Sequence, residues 1–172
     1  NLGMDKVQEY ARRFGLNNDL PPLLSMSLGA GETTLLRLTA AYGMLVNGGH
    51  KITPSLIDRI QDRHGKTIYR HDLRQCPECD RVGDMRNVPS LSDDRPQITS
   101  PASAFQMVSM LEGVVKRGTG RYISDLGLAV AGKTGTTNDN TNGWFIGFTP
   151  DLVVGVFVGY DLPRPLGKSE TG

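Results

Sequence analysis

Long apolar runs are scarce in this sequence. The strongest, Leu152-Val-Val-Gly-Val-Phe-Val-Gly-Tyr160, is far shorter than the roughly 20 residues a membrane-spanning helix needs, so no transmembrane segment is expected within the chain. An excess of charge is missing too: 19 Lys and Arg stand against 18 Asp and Glu, with no basic block. That removes the electrostatic footprint of a nucleic-acid binder. The chain opens without the charged segment and apolar stretch of a signal peptide. Asn1-Leu-Gly-Met-Asp5 instead runs straight into a helical pattern, as expected of a piece of a longer protein. Metal-ligating residues are few, with two cysteines and three histidines. Cys76-Pro-Glu-Cys79 alone cannot supply four zinc ligands, and His71 permits at most a partial site. Its neighbours read as loop, which argues against a thioredoxin-like motif. A local disulfide in an oxidising compartment is favoured, with free thiols or a metal as the other readings. No cofactor and no metal site are expected.

What is present reads as an α+β chain of 172 residues, about one domain in size. An amphipathic helix is predicted within 1–16, with Val7, Tyr10, Ala11 and Phe14 on one side and Gly15 closing it. A second is predicted over 33–46, capped by Thr33 or Thr34 and stopped by Asn47-Gly48-Gly49, with Leu35, Leu38, Tyr42, Leu45 and Val46 facing inward. Segments 55–60 and 66–70 flank His64-Gly65 as a hairpin. Residues 71–97, with the cysteines and three prolines, lack periodicity and are expected to form a surface insertion. Ser100 and Pro101 start a third helix whose expected core face is Phe105, Val108, Leu111 and Val115, ending at Lys116-Arg-Gly-Thr-Gly120. Three strands are predicted after it, over 128–136, 143–148 and 152–160, the last two antiparallel across Thr149-Pro150-Asp151.

The stretch Gly127-Leu-Ala-Val-Ala-Gly-Lys-Thr-Gly-Thr-Thr137 admits two chemistries. Its first residues satisfy G-x-x-x-x-G-K-[ST], the phosphate loop of nucleotide-binding proteins. Such a loop needs glycine-rich backbone before a helix whose N-terminus faces the anion. Here the intervening residues are Leu128, Ala129, Val130 and Ala131, which suit a strand. The chain then continues Gly135-Thr-Thr-Asn-Asp-Asn-Thr-Asn-Gly143, a very poor helix start. The same residues contain Lys-Thr-Gly, a motif of serine penicillin-recognising enzymes. On an exposed strand Lys133 supplies positive charge, and the hydroxyls of Thr134 and Thr136 offer hydrogen bonds to a carboxylate or carbonyl. Gly135 lets a substrate backbone lie close, and the main-chain N–H of Thr136 can face an oxyanion. A peptide docking there would add as an extra strand.

With its surroundings, the motif resembles the transpeptidase domain of penicillin-binding proteins, closely the bifunctional class A type. The residues carrying the resemblance are 20–49 (LPPLLSMSLGAGETTLLRLTAAYGMLVNGG), 52–72, 109–120 and 131–161 (AGKTGTTNDNTNGWFIGFTPDLVVGVFVGYD). It implies a β-lactamase/transpeptidase-like fold, with helices packed on an antiparallel sheet. It also implies D,D-transpeptidation of peptidoglycan stem peptides ending in D-Ala-D-Ala through an acyl-serine, and acylation by β-lactams. Carried over by position, Lys133 and the Thr136 N–H are catalytic. Thr134, Gly135, Thr136 and Thr137 bind substrate, and Trp144 packs beneath the strand. The implied location is the periplasmic face of the bacterial inner membrane, in a membrane-anchored protein with a glycosyltransferase domain upstream. One departure is large: no serine here has lysine three positions on or asparagine two positions on. The S-x-x-K nucleophile and the S-x-N motif of the family are therefore absent. Residues 1–172 are expected to be the C-terminal portion of the domain, unable to be acylated alone. A non-enzymatic peptide-binding relative is the alternative.

Overall fold

The structure, a computed structural model, describes residues 2–74 and 91–167. It divides into two compact units, Asn1–Ile52 with Gln97–Gly172, and Thr53–Pro96.

The larger unit is an antiparallel sheet with two helices against one face. Helix α1 spans Met4–Arg13, and the chain turns out of it at Gly15, whose φ of 69° suits glycine. Helix α2 spans Leu35–Val46, with the Thr34 hydroxyl accepting from the Arg37 N–H at 3.2 Å. Gly48 and Gly49, both at positive φ, end it as expected. Gly49 also receives the returning chain: its carbonyl accepts the Ile98 N–H at 2.8 Å, while Gln97 Nε2 donates to Gly48 O at 2.7 Å. A side chain at Gly49 would strike Thr99, so close approach and backbone angle both require glycine there.

Helix α2 is enclosed on more than its expected face. Leu45, Val46 and Tyr42 do pack toward Leu111, Ala131 and Phe148. Its most buried side chain, though, is Met44, which joins Ala40, Ile98, Phe14 and Ile52 in a second cluster. Helix α3 spans Pro101–Arg117 with Ser100 as its cap, accepting from the Ser103 N–H at 3.1 Å. Its core face is Ala104, Val108, Leu111 and Val115. Phe105, expected inside, is 72% exposed. The fully buried Ala104 holds that place, one helical step around.

Strands β3 (Ala131–Thr136), β4 (Asn142–Phe148) and β5 (Val153–Gly159) form a meander in that order. Strand β3 is shorter than the sequence suggested. Gly127 sits at φ 65° after a 3-10 turn over Arg121–Leu126, and Leu128 and Ala129 are exposed lead-in rather than buried strand. Register places Ala131, Phe148 and Val153 on the helix-covered face, followed by Lys133, Ile146 and Gly155, then Gly135, Trp144 and Phe157. Ile146 is 2% exposed and Gly155 lies against Leu35 and Thr39 of α2, so the sheet is anchored at this level.

The smaller unit contains a hairpin of β1 (Arg59–Gln61) and β2 (Thr67–Arg70). Its turn is organised by Asp62, whose carboxylate accepts from the His64 and Lys66 N–H groups at 2.9 Å each. Two Asp-Arg pairs follow, Asp72 with Arg74 and Asp93 with Arg95, their Nε–Oδ1 distances being 2.9 and 2.7 Å. Hydrogen bonds from Arg74 hold the Asp72 carboxyl well below the usual carboxylate range. The Cys76–Cys79 pair lies outside the described residues.

Candidate active site

Strand β3 carries Lys-Thr-Gly-Thr along one edge of the sheet. It pairs with β4 through Lys133↔Ile146, Thr134↔Phe145, Gly135↔Trp144 and Thr136↔Gly143. Just beyond it the Thr137 N–H donates to Asn142 O at 3.1 Å, toward β4. Alternation along the strand therefore turns the N–H and C=O groups of Thr134 and Thr136 away from β4. A linear row of main-chain donors and acceptors faces outward at the motif, suited to an extended ligand.

The side chains divide by the same alternation. Lys133 shares a face with Ile146, and its Nζ bends to the edge to donate to Thr134 O at 2.7 Å. Thr134 projects from the other face, and its hydroxyl lies 2.8 Å from that of Thr119. A Cβ at Gly135 would stand 3.3 Å from Trp144 Cβ. The Trp144 ring is half-buried and leans toward β5, 4.7 Å between centroids from Phe157. It stands on the helix-covered face, directly across from Gly135 of β3. Thr137, grouped by sequence with the ligand-binding residues, has its hydroxyl engaged in the turn. It sits 2.8 Å from the Thr141 hydroxyl and accepts the Asn142 N–H at 2.9 Å. No α-helix follows the motif; a three-residue 3-10 turn (Asn138–Asn140) leads straight back into β4. The helix N-terminus that phosphate binding requires is therefore not provided.

Thr119 was not among the residues that sequence reasoning selected. It tips the loop Gly118-Thr-Gly120 at the end of α3 and adjoins an open depression of about 530 Å³ lined also by Arg121, Tyr122, Ser124 and Asp125. The sequence signal was the pair of glycines around it, read only as a helix stop. Among the described residues no helix is long and apolar enough to cross a membrane.

An edge strand bearing Lys-Thr-Gly-Thr, backed by helices on an α+β scaffold, defines a class, and comparison with known proteins agrees. The family model for the penicillin-binding protein transpeptidase domain matches residues 1–162, and the chain belongs to that family. Among curated relatives, penicillin-binding protein 1A of Rickettsia prowazekii (strain Madrid E) is 45% identical over 174 residues, covering 99% of this chain and 22% of that protein. Penicillin-binding protein 1A of Neisseria gonorrhoeae is 39% identical over 174 residues, covering 100% of this chain and 20% of that protein. Among solved structures, penicillin-binding protein 1A from Haemophilus influenzae superposes with a TM-score of 0.78 at 29% identity, over 99% of this chain and 28% of that one. The chain thus spans about a fifth of the curated relatives it matches.

Proposed function

We propose that this chain builds one wall of the acyl-transfer site of a peptidoglycan D,D-transpeptidase of the class A penicillin-binding type. The observation that carries the reading is the outward-facing row of β3, where Lys133, Thr134 and the Thr136 backbone meet along one edge of the sheet. A stem peptide lies along this edge as an added strand, its chain passing over Gly135. The Thr134 hydroxyl takes its terminal carboxylate. A serine hydroxyl attacks the carbonyl carbon of the penultimate D-alanine, and the Thr136 N–H holds the resulting oxyanion. Collapse forms an ester and releases the terminal D-alanine, which takes up a proton. An amine of a neighbouring stem then attacks the ester, forms the crosslinking amide and returns the proton to the serine. A β-lactam follows the first half of this course, but its leaving amine stays tethered.

The Lys133 ammonium contributes fixed positive charge, favouring both the anionic substrate and the charge that builds up during attack. Thr137 closes the turn that fixes Thr136. The serine and its base are supplied by residues outside these 172, since neither S-x-x-K nor S-x-N occurs among them. On this reading residues 1–172 are the later portion of the transpeptidase domain, working at the periplasmic face of the inner membrane. Lys133→Met in the complete protein is expected to lower the second-order rate of acylation by a fluorescent penicillin about 100-fold or more, as for loss of a central electrostatic group. Stability should change by less than about 0.5 kcal/mol, because the side chain is exposed. Reversible, non-covalent penicillin binding by the parent protein would favour a peptide-binding relative without enzymatic function.

A further inference from the structure

We infer that Thr119 is a positioning residue that orients the Thr134 hydroxyl toward the carboxylate of the substrate. This rests on the role proposed above for Thr134. The two hydroxyl oxygens are 2.8 Å apart although the residues stand 15 positions apart in sequence. Either can donate while no ligand is present. A carboxylate can only accept, so once it binds, the single hydrogen of Thr134 must turn to it. Thr119 must then donate to Thr134. The result is a one-way chain, Thr119 O–H to Thr134 O–H to carboxylate, in which each bond polarises the next.

The loop is shaped to hold that donor in place. The N–H groups of Gly118 and Gly120 converge on the Val114 carbonyl, at 3.0 and 3.1 Å, and clamp the residue between them. A Cβ at Gly118 would stand 2.9 Å from Val114 O and 3.1 Å from Val114 Cα, so the clamp closes only on glycine. Thr119 is exposed, and its hydroxyl pairs with that of Thr134.

The test uses the complete transpeptidase and two penicillins, one with its free carboxylate and one as the methyl ester, with acylation rates measured per reactive site. Thr119→Val keeps the branched shape and removes the donor. It should slow the free acid about 3- to 10-fold, the range for one neutral hydrogen bond, and leave the ester unchanged. Thr119→Ser should restore the acid rate, and adding Thr119→Val to Thr134→Val should cause no further loss. Equal slowing of acid and ester by Thr119→Val, or no rescue by serine, would overturn the inference while leaving the role of Thr134 intact. If Thr134→Val itself fails to separate acid from ester, the carboxylate reading falls and the role of Thr119 falls with it.

Discussion

Gly155 shows how one missing side chain sets the distance between sheet and helix. It lies on the covered face of β5, opposite Ile146, and a Cβ there would meet the Thr39 hydroxyl as well as Ile146 Cδ1 and Leu35 Cδ1, each of the latter at 3.0 Å. The Thr39 hydroxyl is held by the Leu35 carbonyl at 2.8 Å and does not give way freely. Gly155→Ala is expected to destabilise the transpeptidase by about 1–3 kcal/mol through overpacking, read as a lower urea midpoint at unchanged slope. A contrasting case is Thr136, whose N–H the strand alternation turns away from β4. Proline there spares the β4 ladder, since the Thr136↔Gly143 pair exchanges no bonds across it, but it deletes the proposed oxyanion donor. Thr136→Pro is expected to reduce penicillin acylation about 100- to 1,000-fold. A reduction under threefold would remove the Thr136 backbone from the mechanism.

At the scale of elements, the sequence disclosed most where a residue type has one local use. Thr34 and Ser100 cap their helices, Gly48 and Gly49 stop α2, and the short link at Thr149-Pro150-Asp151 makes β4 and β5 antiparallel neighbours. It misled where apolar character stood in for position. Phe105 sits one helical step from the buried face, and its size outweighed the small Ala104 that packs there. Leu128 to Val130 look like strand by composition, yet the left-handed Gly127 and the preceding 3-10 turn delay pairing until Ala131. Met44 falls outside the expected stripe because a helix held between two clusters buries a wider arc than one stripe reveals. The candidate site was legible to the extent that it is consecutive, over Lys133 to Thr136. The Thr119–Thr134 contact joins distant stretches and has no local signature, so it emerges only in the folded chain.

At the scale of the whole molecule, the sheet has one face covered and one open. Val154, Val156 and Val158 alternate along the uncovered side of β5 and are 45%, 45% and 54% exposed. Among the described residues the outer edges of β3 and β5 pair with no further strand. Open edges and apolar faces promote self-association. The 172 residues expressed alone should therefore elute as oligomers and enhance the fluorescence of an apolar dye; a clean, dye-silent monomer would contradict that expectation. On the proposed mechanism this strand faces a serine nucleophile, and neither S-x-x-K nor S-x-N occurs among these residues. The most direct test is to label the complete protein with a fluorescent penicillin, digest it and locate the ester by mass spectrometry. An adduct on a serine outside this 172-residue stretch is the expected result; an adduct on any residue within it would contradict the proposed mechanism.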